Sequence, residues 1–595
     1  MKYIIGLQIG ITSGCAVYFN NKIVYAASEE RFTKIKNDTS FPVQACMYAI
    51  KEFDLNDKNI EKILLVSQTM SPDHFVVSRE SSFSIDDYVY EQNMFYKEVL
   101  LSGNKVDYLD VFSHKLDKRY EDLIALLLSS VPADRPKIWN DWRISKVSKL
   151  FGVNSSEIQI INHELSHAAY AYYGAPYRDE DTAIITFDGF GDSANCLVAK
   201  IEDSRIKVVK KYSNFNVGRI YRYITLLLGM KPSEHEFKVM GLAPYSTSYN
   251  YRKPLDIFNA AYDFDEKTGD VICDKSLSDH YFYFKEKLDG CRFDGIAGAL
   301  QIFTETISAK LVKFWMKKLA VSKLVLSGGV SLNIKSNLEL SKLDCVKSLF
   351  VPGSGGDESL CIGCIYAYLD AIGKGYSIES SPTMYLGPSN DNVSVEQLVN
   401  KLSKNNKYNV SDYDSNFVAN QLVCGSIFAR CSGRMEFGAR SLGNRAIIAD
   451  PRNRNTIDKI NAKVKNRDFW MPFTPSILSD DATTYLDNPK GLDFPYMSVA
   501  CESTERCAYD LQAAIHPADK TIRPQIVSKC QNPSYYDLIE KFKQLSGVGA
   551  LLNTSLNLHG FPIAMTPEDA FYFLDNSDLD GLILENYFIK KVRDN

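Results

Sequence analysis

Two histidines four residues apart, in His163-Glu-Leu-Ser-His167, directly follow the strand-like run EIQIIN. On a helix, an i, i+4 spacing puts both imidazoles on one face, which suits a divalent metal. Such pairs also occur on helix surfaces and in cores, so the spacing alone does not establish a metal centre. Two carboxylates strengthen it. Asp188 ends a strand within Asp188-Gly-Phe-Gly-Asp192, and Asp357 follows the glycine turn of PGSGGDES. Glycine lets backbone approach a ligand closely, so acids in such turns face ligands and metals. The plainer alternative is that both acids cap their turns. Their paired placement, read as one in each of two related lobes, favours ligation.

The densest local signal is Arg430-Cys-Ser-Gly-Arg434-Met-Glu-Phe-Gly-Ala-Arg440-Ser-Leu-Gly-Asn-Arg445, followed by Arg452, Arg454 and Arg467. Arginine presents a fixed fork of donors that matches phosphate and carboxylate oxygens two at a time. Glycines and apolar residues interleave with these arginines. That pattern fits a pocket for a small, highly anionic ligand better than a solvated basic face. SGGVSLN, Ser327–Asn333, is a second glycine loop after a strand. Its amides could cradle a phosphate or ribose and Asn333 could bond a base or sugar hydroxyl, although many Gly-Gly turns are only turns. Neither a Walker A loop nor a GxGxxG fingerprint is evident. Cys361-Ile-Gly-Cys364 reads as two small buried thiols on a packed helix, because no second pair accompanies it. Asp450-Pro-Arg452 reads as a turn, and His235 and His516 stand near glycine- or proline-bearing loops as further candidate ligand contacts.

These residues need elements to position them. The chain opens as strand, glycine turn, strand, tight turn at Asn20-Asn21, strand: Tyr3–Leu7, Gly14–Phe19 and Lys22–Ala27. IIGLQIGITSGCAVYFNNKIVYAA is echoed by IITFDGFGDSANCLVAKIEDSRIKVVKK, which sets Ile4-Ile5 against Ile184-Ile185 and Gln8 against Asp188. The echo predicts two related lobes, each led by a hairpin whose glycine turn faces a shared cleft, as in the actin and sugar-kinase type of fold. Helical periodicity covers Asp294–Leu319, and short strands are expected at Lys323–Leu326 and Val346–Val351. The Gly-, Ser- and Pro-rich stretch Ala371–Ser389 marks a boundary. It divides a first domain, 1–375, from a second α/β domain, 385–595, with a motif-dense core from Ser426 to Leu478 and a closing strand and loop from Gly549 to Pro562. The insertion around Phe83–Asp141 and the aromatic-rich Ser246–Cys291 take no clear assignment.

Composition narrows the function classes. The 595 residues are 45% hydrophobic and 24% charged, which is globular rather than disordered. Lysine plus arginine against acids is 68 − 73 = −5, which disfavours a general nucleic-acid-binding surface while leaving room for a local basic pocket. No apolar run is long enough to span a membrane, and MKYIIGLQIG lacks the longer apolar segment of a signal peptide. The 13 scattered cysteines read as reduced thiols, so a cytoplasmic protein is expected.

With these motifs in view, the chain resembles the ATP-dependent carbamoyltransferases, the family of the tobramycin, cephamycin and nodulation-factor O-carbamoyltransferases. The landmarks are Glu29-Glu30-Arg31-Phe32-Thr33, His163-x3-His167, Asp188-Gly, Lys238-Val-Met-Gly-Leu-Ala243, SGGVSLN, GSGGDES, GRMEFGARSLGNRAIIADPR, VKNRDFWMPFTPSIL, His516–Arg523 and NTSLNLHGFPI. The resemblance implies an N-terminal actin-like domain similar to the tRNA threonylcarbamoyl-transfer enzymes and a C-terminal YrdC-like α/β domain. Carbamoyl phosphate and ATP, with magnesium as an accompanying ion, would form carbamoyl adenylate in the second. The first would transfer the carbamoyl group to a small-molecule or peptide-derived acceptor of natural-product biosynthesis. By motif, His163, His167, Asp188 and Asp357 would hold a divalent transition metal, iron by preference, with manganese or zinc as alternatives that the mixed N/O set also suits. Gly329 and Asn333 would hold the adenylate, with Lys238 and Arg434 assisting. Arg440, Arg467, Arg523, Asn553 and Ser555 would contact phosphate and carbamoyl groups. A homodimer is compatible with the resemblance; nucleic acid and membrane are not expected partners.

One departure matters. Family members carry a histidine in the first glycine turn as base for the acceptor hydroxyl, whereas this turn reads Gly10-Ile-Thr12-Ser13-Gly14-Cys15, and no histidine precedes His74. Thr12 and Ser13 could position an acceptor, but neither titrates near neutrality. The alternative reading is therefore a homologue that binds or hydrolyses the adenylate without transferring it.

Overall fold

The computed structural model describes residues 2–274, 277–379, 383–465 and 467–592. It falls into two compact units, Met1–Thr33 with Asn37–Pro382, and Thr383–Asn595 with the short segment Lys34–Lys36. The division falls within the Gly-, Ser- and Pro-rich stretch Ala371–Ser389, between the expected domains 1–375 and 385–595, and residues 34–36 group with the second unit.

The first unit holds two five-stranded sheets. In one, β1 (Tyr3–Gln8) pairs antiparallel with β2 (Gly14–Phe19), which pairs with β3 (Lys22–Ser28). On its other side β1 runs parallel to β4 (Ile60–Val66), which runs parallel to β5 (Ile158–Ile161). In the other, β6 (Thr182–Phe187), β7 (Cys196–Glu202) and β8 (Arg205–Tyr212) form the same meander. A small separate hairpin, β9 (Tyr262–Asp265) and β10 (Asp270–Cys273), follows. Then β11 (Lys323–Ser327) and β12 (Ser348–Phe350) extend the second sheet in parallel from β6. The orders β3-β2-β1-β4-β5 and β8-β7-β6-β11-β12 are one topology used twice. The echo between the two hairpins is thus a true structural repeat, and Gln8 and Asp188 stand at the matching ends of β1 and β6. Both first strands are buried on both faces, in keeping with their apolar centres Ile4-Ile5 and Ile184-Ile185.

Each lobe lends its last helix to the other. The helix His163–Gly174 follows β5 but packs on β6 and β11, while Leu360–Ala371 follows β12 and packs on β1 and β4. The two helices also cross each other. They do so at Gly363, where a Cβ would overlap the backbone carbonyl of Ser166. Cys361 and Cys364 lie buried in this helix as free thiols, in keeping with a packing role. The insertion 83–141 is helical, with Ile85–Glu91, a wide turn of π-helix at Gln92–Leu101, and Glu121–Leu128. Its aromatic side chains join the core of the first lobe, where Phe75, Phe83, Phe112 and Trp139 are buried together. Ser246–Cys291 supplies the helix Ser248–Ala261, the β9–β10 hairpin and the helix His280–Lys287.

The second unit is one mixed eight-stranded sheet. Its strands are β13 (Tyr408–Asp412), β14 (Phe428–Cys431), β15 (Arg445–Ala449), β16 (Thr474–Leu478), β19 (Gln525–Val527), β20 (Ala550–Ser555), β21 (Gly581–Leu584) and β22 (Tyr587–Lys591). They lie in the order β13-β22-β21-β14-β15-β20-β16-β19, and β17 (Leu486–Asp487) and β18 (Glu502–Ser503) form a separate pair. The motif-dense core supplies β14 and β15 at the sheet's centre and β16 beside its edge strand, and NTSLN forms the end of β20 and its loop. No helix of the described residues is long and apolar enough to cross a membrane.

Gly363→Ala should force the two crossing helices apart. Overpacking of this kind costs about 1–3 kcal/mol, so the denaturant midpoint should fall at unchanged m-value; a midpoint equal to the parent's would show that the crossing is not tight.

Candidate metal centre and anion site

Asn162 caps the helix that starts at His163, its side chain accepting from the Leu165 amide at 3.0 Å. One helical turn then stacks His163 and His167 on one face. Their ligand atoms and those of Asp188 and Asp357 all lie within 4.8 Å of one another. His167 Nε2 is 2.9 Å from Asp188 Oδ2 and 3.4 Å from Asp357 Oδ1, and His163 Nε2 is 3.5 Å and 3.8 Å from the same atoms. The carboxylates do not come from opposite lobes, as the sequence reading had it. Asp188 follows β6 and Asp357 follows β12, so both belong to the second sheet, and the first lobe contributes the histidines instead.

The other ring nitrogens are also fixed. Ser67, just after β4, meets His163 Nδ1 at 3.0 Å, and Ser327, at the end of β11, meets His167 Nδ1 at 3.3 Å. These serines occupy matching places in the two lobes, and they leave both Nε2 atoms to face the carboxylates. Asp192 Oδ2 accepts the His163 amide at 2.8 Å, and its Oδ1 accepts the amides of Gln68 and Thr69. Burial would pull the His163 imidazole below its ordinary pKa, but the Asp357 charge and the bond to Asp188 outweigh it and lift it to about 9. Burial likewise opposes, and the two aspartates raise, His167. Desolvation pushes Asp188 up, but the His163 hydrogen bond and the two imidazoles beside it hold it well below the usual carboxylate range.

The residues fit a metal. His167 Nε2 is buried and, despite the short distance to Asp188, is not aligned for a hydrogen bond and has no such partner. Two imidazole nitrogens and two carboxylate oxygens would neutralise a dication and suit Fe, Mn or Zn.

Around this centre, Gly329 donates its amide to Asp188 Oδ2 at 3.5 Å. Asn333, expected at the adenylate, is occupied otherwise: its Oδ1 caps the helix Ile334–Lys342 through the Ser336 amide, and both ends of its amide pair with Gln301. Lys238 is half-buried on the helix Glu236–Leu242. Ser13 closes its turn on Gly10, with Oγ accepting from the amide and donating to the carbonyl at 3.0 Å each. Thr12 has φ of 51° and a buried Oγ1 without a partner.

The second unit sorts its arginines into two groups. Arg430 donates to Gly443 O, Asn444 Oδ1 and Ser534 Oγ, Arg445 to the carbonyls of Gly433 and Met565, and Arg452 pairs with Asp450. Arg434, expected to contact ligand, donates to the carbonyls of Leu386 and Gly387 at 2.6 and 3.1 Å and so ties down that loop. Arg440, Arg467 and Arg523 behave differently. Burial, then Arg440, lowers Arg467 to about 10; burial, then Arg440 and Arg467, lowers Arg523 well below the usual arginine. Arg467 donates to Thr554 Oγ1 at 2.9 Å and lies over the Phe473 ring, and Arg523 Nε is buried and unpartnered. Lys465, which the sequence reading missed, is buried beside them. It donates to Ser555 O at 2.6 Å and Asn557 O at 2.9 Å, and burial, then Arg467, depresses it strongly. The usable signal was its spacing, two residues before Arg467. Ser555 Oγ donates to Asn557 Oδ1. Asn553 gives its amide nitrogen to Ser476 Oγ at 3.0 Å and keeps a buried, unpartnered Oδ1. Among the described residues no carboxylate pairs with Lys465, Arg467 or Arg523. One buried and two half-buried cations without a carboxylate counter-charge suit a polyanion.

The purified chain should hold one divalent metal by elemental analysis, and His163→Ala/Asp357→Ala should hold none. Ser67→Ala should weaken metal binding by roughly 10–100-fold, the usual cost of losing an orienting partner. Full occupancy in the double variant would exclude this site.

Comparison with known proteins agrees with this division. Residues 3–366 match the family model "Carbamoyltransferase N-terminus" and residues 419–591 match "Carbamoyltransferase C-terminus". Nodulation protein NolO of Bradyrhizobium diazoefficiens is 30% identical over 439 residues, covering 72% of this chain and 79% of that protein. The 3'-hydroxymethylcephem-O-carbamoyltransferase of Amycolatopsis lactamdurans is 26% identical over 271 residues, 46% of this chain and 49% of the enzyme. An uncharacterised protein of Methanocaldococcus jannaschii is 27% identical over 639 residues, 99% of this chain and 100% of that protein. With both family models matched in order along its length, the chain belongs to the carbamoyltransferase family.

Proposed function

We propose that this chain uses ATP and carbamoyl phosphate to make carbamoyl adenylate in its second unit, which we read as YrdC-like, and transfers the carbamoyl group to a small acceptor at the His163–His167–Asp188–Asp357 centre. The observation that carries the reading is the set of buried Lys465 and half-buried Arg467 and Arg523, left without carboxylate partners among the described residues of the second unit.

Water releases phosphate from carbamoyl phosphate, a carbamate oxygen attacks the α-phosphorus of ATP, and pyrophosphate leaves. Lys465, Arg440, Arg467 and Arg523 would bind and orient the anionic groups, and their positive field would stabilise the charge that gathers on the α-phosphoryl oxygens and the departing pyrophosphate. In the first unit the acceptor attacks the carbamoyl carbon and the bond to AMP breaks. A divalent metal bound by the two histidines and two aspartates would supply Lewis-acid polarisation of the carbamoyl carbonyl. Gly329 steadies Asp188 through its amide, and Ser67 and Ser327 hold both imidazoles in the ligating orientation. The buried Thr12 hydroxyl would accept or donate one hydrogen bond to the attacking group but cannot take its proton. General-base help is typically worth about 10²–10⁴-fold, so an amine, which is nucleophilic without it, is the acceptor that this turn serves best. The amine's surplus proton would pass to water after attack.

ATP–pyrophosphate exchange dependent on carbamoyl phosphate should fall roughly 10–100-fold in Arg523→Met and be strongly impaired in Arg440→Lys, which keeps charge but loses the planar fork. His163→Ala should keep exchange and lose transfer. Near-normal exchange in both arginine variants would overturn the assignment of the adenylating site. Separately, when amine and alcohol acceptors of matched structure are offered, the urea of the amine should form faster than the carbamate of the alcohol; faster carbamoylation of the alcohol would refute the choice of nucleophile.

A further inference from the structure

The helix Val217–Leu227 lies against the metal turn. A Cβ on Gly218 would come within 3.0 Å of the Gly189 amide nitrogen and 2.9 Å of the Val330 side chain, so this glycine lets the helix touch both the turn after Asp188 and the SGGVSLN loop. The next residue is Arg219. Its Nε donates to Gly189 O at 2.7 Å, and its guanidinium carbon sits 4.4 Å from the centre of the Phe190 ring. The rest of that fork meets no carboxylate among the described residues. Phe190 itself is 42% exposed, two residues from a metal ligand.

The surrounding charges are otherwise settled. Arg79 forms a two-pronged pair with Glu91, at 2.6 Å on each prong, and reaches Glu80 at 2.7 Å. Arg222, one turn on from Arg219, reaches the same Glu80 at 3.4 Å and Ser233 Oγ at 2.6 Å. Two arginines are thus matched by two glutamates, and Arg219 is the surplus cation. Burial lowers its pKa without bringing it near neutrality, so the charge persists. A half-buried guanidinium held rigidly by one backbone bond and one ring is set up to bind an oxyanion at little entropic cost.

We propose that Arg219 is an oxyanion-binding residue at the rim of the metal centre. The anion is either the phosphate of the adenylate and AMP or a carboxylate carried by the acceptor. The proposal rests on the reading of this centre as the transfer site. It adds that the substrate presents a negative oxygen group to Arg219 and that polycationic acceptors are disfavoured there.

The test is peptide-resolved labelling of arginines by phenylglyoxal in the full-length, metal-loaded protein. Arg219 should be labelled in the free protein. AMP and inorganic phosphate should protect it if the phosphate is the partner, and acetate should protect it if a carboxylate is; either result supports the site and identifies the source. Arg219→Met should bind the protecting anion roughly 10–100-fold more weakly while retaining its metal by elemental analysis, which separates lost binding from lost folding. An unlabelled Arg219 in the free protein, no protection by any of the three anions, or equal protection by adenosine would overturn the proposal. Wild-type ATP–pyrophosphate exchange, measured in parallel, reports on the adenylating function independently, so failure of that reading is not mistaken for failure of this one.

Discussion

Two carboxylates and two buried imidazoles are held within 4.8 Å of one another, and much of the first unit is arranged to keep them there. Charges at that separation and depth are tolerated only when each has a partner. The same closeness shows in their acidities: the aspartates raise His163 and His167, and the imidazoles lower Asp188. The construction that enforces the separation is the exchange of terminal helices between lobes. The histidine helix is connected to the first sheet but packs on the second, beside the strand ends that carry both acids.

The second unit meets the same constraint with the opposite sign. Lys465, Arg467 and Arg523 are gathered where desolvation and neighbouring cations, Arg440 among them, depress each of them. Repulsion between like charges costs stability, and the fold offsets it with carbonyl and hydroxyl oxygens rather than with carboxylates. Ser555 and Asn557 grip Lys465, and Thr554 grips Arg467. Neutral acceptors orient a cation without cancelling its charge, so the positive field remains for an anionic ligand.

The first glycine turn carries strain of another kind. Thr12 is β-branched yet takes a positive φ, and its hydroxyl is buried without a partner. Such a backbone costs of order 1–3 kcal/mol and persists only where surrounding structure over-determines it. Here Ser13 clamps the turn to Gly10, while the Ser13 amide reaches Asp38 O and its carbonyl accepts from Glu29. A turn held this firmly presents the Thr12 hydroxyl in one orientation.

Local patterns were legible in the residues alone. The i, i+4 histidines, the glycine turns holding Asp188 and Asp357, and the repeat of Ile4-Ile5 in Ile184-Ile185 depend on spacing within single elements, which the chain writes directly. Arginine roles were not legible in the same way. Arg434 and Arg440 lie six residues apart in one glycine-rich segment, yet Arg434 is spent on carbonyls at Leu386 and Gly387 while Arg440 lies close enough to Arg467 and Arg523 to depress them. Which donor meets which acceptor is decided by segments far away in sequence. For the same reason the pattern did not reveal that both acids come from one lobe, that Ser67 and Ser327 orient the histidines, or that Arg219 stands beside the metal turn. Hydrogen-bond partners brought together by sheet order and helix crossing leave no periodic trace in the chain, so tertiary structure alone assigned them.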